Sequence, residues 1–267
     1  MYKSFAAAIA LATAAIVPTI AYADDAPKSD IAITGSAALT TQYRLRGISQ
    51  TDNRGAIQGG ITVTHSPTGL YAGTWASNLG GNGTFGGSNM ELDLLAGKAT
   101  TFGAATLDGG VIYYVYPGTH DHDFFELYGS VSGKVGPVSA KGGLYWAPSQ
   151  SNIAFNPTGK KGHNIWLYTD LGFSIPETPV TLKAHAGYSS GNSLYTQGGA
   201  AGFIGKDTGV FDYGVGVDLT FKMLTLNVSY IGTDMNKTFA DINFGAGARP
   251  GREIVKGNVV ATLTAAF

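Results

Sequence analysis

The chain has 267 residues, a formal net charge of −1 and no cysteine, and only 13% of its residues are charged. The missing cysteines exclude a disulfide-stapled scaffold, and the near-zero charge without a basic run argues against nucleic acid as a partner. The length is enough for one large domain, and the abundance of glycine and tyrosine favours β structure.

The amino-terminal residues have the pattern of an export signal. Lys3 supplies a positive charge, an apolar run covers residues 5–20, and Ala21-Tyr22-Ala23 is a small-x-small cleavage site. We therefore predict a signal peptide over residues 1–23 and one mature domain over residues 24–267. No later segment approaches 18 continuous apolar residues, which excludes a helical membrane protein.

Alternation of apolar and polar residues predicts about twelve β-strands, and no helical periodicity follows the signal peptide. The predicted strands are residues 31–44, 55–65, 70–78, 89–101, 104–116, 123–134, 138–147, 163–175, 180–189, 208–221, 224–233 and 254–267. Most exceed the roughly five or six residues of a soluble strand and match the roughly 9–11 residues of a tilted membrane-spanning strand.

The connections between these strands alternate between short and long. The short links are residues 66–69, 102–103, 135–137, 176–179 and 222–223, and the long ones are 45–54, 79–88, 117–122, 148–162, 190–207 and 234–253. An up-and-down barrel with short turns at one end and long loops at the other has this alternation. The fold class predicted is therefore all-β, an antiparallel up-and-down transmembrane β-barrel in contact with outer-membrane lipid.

Within each strand, alternate positions separate into an apolar row for lipid and a polar row for the lumen. In residues 208–221, for example, Val215, Val217 and Leu219 oppose Gly216 and Asp218. Ten aromatic residues near strand ends are expected in the two interfacial girdles: Tyr43, Tyr71, Trp75, Tyr116, Trp146, Phe173, Tyr188, Phe211, Phe221 and Tyr230.

The last predicted strand, residues 254–267, ends on Phe267. A terminal apolar strand would be an exposed edge unless it paired with the first strand, so we expect it to close the barrel. A closing strand that ends in phenylalanine resembles the carboxyl-terminal signal of bacterial outer-membrane barrels. This resemblance implies the barrel-assembly machinery as a partner and the cell outer membrane as the location.

Five sequence blocks resemble the TorF-type porins, a family of exported bacterial barrels. They are residues 43–51 (YRLRGISQT), 69–78 (GLYAGTWASN), 91–93 (ELD), 114–118 (YVYPG) and 126–128 (ELY). The resemblance spans most of the mature chain and departs at residues 198–205 and 243–250. It implies an outer-membrane barrel for passive transport of small hydrophilic solutes, without catalytic residues or a cofactor.

The charged residues of the polar rows are the candidate pore-lining residues. They are Arg44, Arg46, Lys141, Lys183, His185 and Lys256 on the positive or titratable side, and Glu91, Asp93, Glu126, Asp170, Asp212 and Asp218 on the negative side. Near balance of the two signs favours a narrow pore that screens solutes by size and charge. Arg44 and Arg46 are expected near the external end of the first strand, with Glu91 and Asp93 as their counter-charges. The alternative is a non-conducting barrel, structural or interacting through its loops, whose interior is filled by its own paired side chains.

Three other sequence patterns were considered as sites for a metal, a dinucleotide or hydrolysis, and each lacks the context that such a site requires. His120-Asp121-His122-Asp123 has metal-binding side chains but lies in a predicted external loop without a distant third ligand, so no metal site is predicted. The GxGxxG match at residues 81–86 opens no helix, which disfavours a dinucleotide site. A lipase-like site would need a serine beside a histidine such as His185, and neither a GxSxG elbow nor a marked serine partner is found. We therefore expect no enzyme.

Overall fold

The computed structural model describes residues 29–80, 87–119, 122–153, 161–196, 209–244 and 249–267. The predicted signal peptide and the GxGxxG motif lie outside these ranges. The first seven strands are β1 Ile31–Thr40, β2 Arg44–Leu45, β3 Ile48–Ser49, β4 Ala56–His65, β5 Leu70–Asn78, β6 Met90–Phe102 and β7 Ala105–Val115. The others are β8 Phe124–Val135, β9 Val138–Gln150, β10 Gly162–Ser174, β11 Val180–Asn192, β12 Val210–Phe221, β13 Leu224–Thr233 and β14 Asn258–Ala266, with helices α1 Lys237–Phe244 and α2 Gly251–Ile254 between β13 and β14.

Strand β1 and strands β4 to β14 form one closed antiparallel barrel in which neighbours in the chain are neighbours in the wall. The ring therefore has the twelve strands and the up-and-down topology that the alternation predicted. Five short turns and both ends of the barrel chain lie at one end, which we call the turn end. The longer connections lie at the other, which we call the loop end.

The last strand closes the ring, as predicted. β14 pairs with β1 from Ser36 opposite Ala266 to Thr40 opposite Thr262. Beyond the strand, the Phe267 amide donates to the Gly35 carbonyl at 2.9 Å, and the Gly35 amide donates to the Phe267 carbonyl at 2.7 Å. A β-carbon on Gly35 would lie 2.8 Å from the Phe267 ring, so the glycine makes room for the terminal side chain.

The outer face of the barrel is apolar and exposed, and the inner face is polar and largely covered. Along β12, Val215 and Leu219 are 59% and 46% exposed, whereas Asp212 is buried. Apolar side chains in a continuous outward row are stable in lipid, and a closed ring leaves no unpaired backbone edge in the hydrocarbon. Among the described residues, no helix has the length and apolar character needed to cross a membrane.

The structure corrects several local predictions. β1 ends at Thr40 rather than at residue 44, and residues 254–257 belong to α2 and the coil after it rather than to the last strand. Two short helices also break the predicted long loop 234–253, because a few residues suffice for a helical turn and leave little periodicity to detect. Of the ten expected girdle aromatics, Tyr43, Trp75 and Tyr116 are buried inside the barrel, and the Tyr71 hydroxyl bonds to lumen-facing Asp108.

Helices α1 and α2 cover part of the loop end. Phe239, Phe244 and Ile254 are buried beneath them. On their outer side the backbone amide of Arg252 donates to Asp241 at 2.7 Å, and its guanidinium bonds to the same carboxylate. These hydrogen bonds lower the pKa of the Asp241 carboxyl below its ordinary value.

Candidate functional site in the barrel lumen

Residues 41–55, which we call the inward segment, fold into the lumen at the loop end. Thr40 and Ala56 pair across β1 and β4, so the segment leaves and re-enters the wall at adjacent points. Residues 42–52 are buried, and β2 and β3 pair only with each other. Arg46 and Gly47 join these strands with φ of 49° and 78°, as a two-residue type I′ turn requires. The segment is thus a small hairpin inside the barrel rather than an extension of β1.

Arg44 lies at the base of this hairpin and bonds to neutral groups. Its Nη1 donates to the Gly47 carbonyl at 2.7 Å, and its Nε donates to Gln42 Oε1 at 2.8 Å. Its Nη2 donates to the Lys256 carbonyl at 2.8 Å and to Asn53 Oδ1 at 3.2 Å. The Lys256 side chain is itself exposed, because it lies between α2 and β14 rather than in the wall. Only its carbonyl reaches the lumen.

Arg46, at the tip of the hairpin, forms an ion pair with the wall. Its Nη2 lies 2.7 Å from both carboxylate oxygens of Glu126 on β8. Its guanidinium carbon lies 5.0 Å from the Trp166 ring centroid and 4.7 Å from that of Tyr195. Because both charged side chains are almost fully buried, removal of either one would leave an unpaired buried charge, which is strongly destabilising.

Glu91 and Asp93 lie two residues apart on the inner face of β6, and their surroundings differ. Glu91 accepts hydrogen bonds from the hydroxyls of Tyr43 at 2.7 Å and Tyr116 at 2.9 Å. Asp93 is 0% exposed, yet neither of its carboxylate oxygens has a hydrogen-bond partner in the described part of the chain. The expected pairing of the arginines with Glu91 and Asp93 is therefore not what the structure shows, since Arg46 pairs with Glu126.

His185 on β11 lies between two carboxylates deeper in the lumen. Its Nδ1 is 2.6 Å from Asp170 Oδ1, and its Nε2 is 2.8 Å from Asp212 Oδ1. The second oxygen of Asp212 accepts a hydrogen bond from Trp166 Nε1 at 2.8 Å. Since both ring nitrogens face carboxylate oxygens, the arrangement is best satisfied by the doubly protonated ring, which donates on both sides.

The remaining predicted lumen residues lie toward the turn end. Lys183 Nζ is 3.3 Å from Asp218 Oδ2, and Asn227 donates to the other Asp218 oxygen at 2.5 Å. Lys141 lies over the Tyr168 ring, with its Nζ 5.9 Å from the ring centroid. Eleven of the twelve candidate side chains thus face the barrel interior, and Lys256 is the exception.

Aromatic packing around these charges is the part of the site that sequence reasoning missed. The lumen contains a contiguous group of rings, each in contact with another member or with Arg46: Tyr43, Trp75, Tyr114, Phe124, Tyr128, Tyr145, Trp166, Tyr168 and Tyr195. The parity of Tyr145, Trp166 and Tyr168 with lumen-facing Lys141 and Asp170 is a signal that could have placed them inside.

The geometry offers no support for a metal or hydrolase site. Within the described ranges, no group of three His, Cys, Asp or Glu side chains is arranged to hold a metal. Half of the His-Asp-His-Asp motif, residues 120 and 121, lies outside those ranges. His185, the histidine considered for a hydrolase, has a carboxylate at each ring nitrogen, so neither is positioned to accept a proton from a serine.

A closed antiparallel ring with an apolar outer face and a charged, polar inner face defines a transmembrane β-barrel of the bacterial outer membrane. Residues 24–267 match the family described as "Bacterial protein of unknown function (Gcw_chp)", and the chain belongs to this family. No curated protein is detectably similar to it.

Solved structures share the barrel fold. The NanC porin has a TM-score of 0.53 and 10% identity, over 88% of this chain and 99% of the NanC chain. A protein from a study of in-meso crystallization of membrane proteins has a TM-score of 0.49 and 12% identity, over 88% of this chain and 83% of that chain. The outer membrane channel DcaP of Acinetobacter baumannii has a TM-score of 0.43 and 10% identity, over 89% of this chain and 97% of the DcaP chain. At 10% identity, the similarity to NanC shows a common fold only. The function must therefore be inferred from the residues of the lumen.

Proposed function

We propose that this barrel is a narrow, non-enzymatic channel for passive diffusion of small hydrophilic solutes. The observation that carries the proposal is that the element filling the loop end is separate from the wall. The β2–β3 hairpin pairs with no barrel strand, and Arg46 ties its tip to Glu126 through side chains alone. The hairpin takes no part in the backbone ladder of the wall, so it can shift while the ring stays closed if its side-chain contacts with Glu91 and Glu126 open. The resemblance of residues 43–51 to TorF-type porins supports the same function.

The inner wall toward the turn end favours a hydrated passage. Thr34, Thr62 and Thr64 point their hydroxyls into the lumen, and these oxygens have no partner among the residues that the structure describes. Burying a hydroxyl without a hydrogen bond is unfavourable, by roughly 1–3 kcal/mol on protein scales. Water that enters this half of the lumen would supply the missing hydrogen bonds, and small hydrophilic solutes would travel with it.

One observation favours a second function, a non-conducting barrel that acts through its loops. Residues 42–52 are buried, and the Arg46–Glu126 pair is almost closed to solvent. If this pair never opens, the inward segment is a permanent plug. The two functions therefore differ in whether the hairpin leaves a path for solutes.

Swelling of proteoliposomes in neutral sugars of increasing size tests the proposal. Wild-type barrel should admit the smallest sugars and exclude larger ones. A variant in which a short Gly-Ser linker replaces residues 43–53 should admit larger sugars, because Thr40 and Ala56 are already paired and the linker spans a small gap. Swelling by the variant alone would favour the plugged barrel, and swelling by neither would remove the channel proposal.

A further inference from the structure

Asp93 is a buried carboxyl group that has no partner in the part of the chain that the structure describes. It lies on β6 with its side chain in the lumen, two residues from Glu91, and it is 0% exposed. Both of its carboxylate oxygens are without a hydrogen-bond partner among the described residues. Buried carboxylates are normally paired or hydrogen-bonded, so an unpaired one in a native fold needs a specific explanation.

Among the described residues, the two arginines of the hairpin form their hydrogen bonds with groups other than Asp93. Arg46 places its Nη2 on both oxygens of Glu126, while its Nε and Nη1 have no partner in the described ranges, and Arg44 bonds to carbonyl and amide oxygens. The other charges that act on Asp93 are the carboxylates Glu91 and Glu126. Of these three carboxyl groups, Glu126 forms an ion pair, Glu91 accepts two tyrosine hydroxyls, and Asp93 has no partner among the described residues.

The immediate neighbours of Asp93 are aromatic. Trp75 on β5 and Tyr114 on β7 lie directly across from it on the two adjacent strands, and directly opposed side chains on one face are in contact range. The Tyr43 ring packs edge-on against Trp75, with 5.4 Å between their centroids. A carboxylate bordered by aromatic rings is the combination that recognises an organic ammonium group, because the rings add cation–π attraction to the ion pair.

We infer that Asp93, with Trp75 and Tyr114 beside it, is a binding site for the ammonium group of small cationic solutes. The inference rests on the proposed channel function and names the solute class that the channel favours. A metal ion fits less well, since no three-ligand group is found within the described ranges and the Tyr114 hydroxyl donates to Glu126. An ammonium group beside Asp93 supplies a counter-charge for its carboxylate form, so cations enter more readily than neutral or anionic solutes of equal size.

Titration of the folded, detergent-solubilised barrel with methylammonium chloride tests binding directly, with tryptophan fluorescence as the signal. A Trp146→Phe background removes a lipid-facing fluorophore, and potassium chloride at matched concentration controls for ionic strength. We expect a saturable change that becomes about tenfold or more weaker in Asp93→Asn, which keeps the shape and removes the charge. Asp218→Asn is the matched control, because that carboxylate already pairs with Lys183, and it should retain saturation.

Two further measurements on Asp93→Asn, of its folding and of its infrared spectrum, can contradict the proposed binding site. Asp93→Asn should fold at least as well as wild type, since it replaces a buried carboxyl that has no hydrogen-bond partner among the described residues, and heat-modifiable migration in gels verifies folding. If Asp93→Asn binds methylammonium like wild type, the site is overturned. An infrared band of a protonated carboxyl that disappears in Asp93→Asn would overturn it as well, because a neutral Asp93 needs no counter-ion.

Reversal potentials in planar bilayers separate this inference from the channel proposal. A conducting wild type that prefers methylammonium to chloride, with the preference reduced in Asp93→Asn, supports both. If the barrel conducts but Asp93→Asn does not change its ion selectivity, the cation site is overturned and the channel proposal stands. Saturable methylammonium binding without any conduction overturns the channel and leaves the binding site.

Discussion

Arginine on the outer face of β12 should destabilise the barrel by an amount that depends on its depth in the bilayer. Val215 is at the middle of the strand, which runs from Val210 to Phe221, and its side chain is 59% exposed on the outer face. At the bilayer midplane an arginine on the lipid face costs about 2–4 kcal/mol. We therefore expect Val215→Arg to lose about that much free energy of folding.

Leu219 provides the depth control because it lies on the same face, nearer the turn end. With about 3.3 Å per residue and a strand tilt of about 40°, Leu219 is roughly 10 Å shallower than Val215. In an apolar band about 25 Å tall, that position approaches the interface, where the cost falls to about 0–1 kcal/mol. Leu219→Arg should therefore be the milder of the two outward substitutions.

Thr181 provides the lumen control. It is half-buried on β11, directly opposite Asp218, so an arginine there finds a carboxylate and water instead of lipid. Equilibrium urea unfolding in phospholipid vesicles, followed by tryptophan fluorescence, compares the three variants with wild type. Thr181→Arg should cost less than Val215→Arg. An equal loss at the two positions, or a larger loss for Leu219→Arg than for Val215→Arg, would refute the assignment of faces and depth.

Three further predictions concern closure and charge. Deletion of Phe267, whose backbone exchanges two hydrogen bonds with Gly35, should reduce the fraction of heat-modifiable barrel in the membrane, and an unchanged fraction would count against its role in assembly. Gly35→Val should give the same defect in milder form, since its β-carbon would lie 2.8 Å from the Phe267 ring; Gly129→Val, where nothing lies within 4 Å, is the control. Replacing Arg44 and Arg46 with Gln should shift the reversal potential in a KCl gradient toward cation selectivity, because Glu126 loses its partner; a conducting variant with unaltered selectivity would exclude these arginines as a filter.

The wall of the barrel could be predicted from the sequence because its determinants are local. Each strand alternates with period two, and short and long connections alternate between the two ends, so strand number, topology and most faces follow without knowledge of distant contacts. β5 and β13 have the bounds that were predicted, and most other strand ends differ by a few residues.

The contents of the lumen could not be predicted in the same way, because they depend on non-local packing. Arg46 and its partner Glu126 are separated by 80 residues, and no local sequence pattern indicates that residues 41–55 turn into the lumen. Trp75 illustrates the ambiguity. Its row on β5, with Gly73 and Ser77, is hardly more polar than the opposite row, so parity alone did not assign it to the lumen.

Single-channel recording of the wild-type protein in a planar bilayer is the most direct test of whether the barrel conducts. We predict small, discrete conductance steps in the wild type, because the inward segment is expected to narrow a water-filled lumen without sealing it. The steps should grow when a short Gly-Ser linker replaces residues 43–53. A wild-type barrel that is folded and inserted, yet shows no conductance at any applied voltage, would contradict the claim.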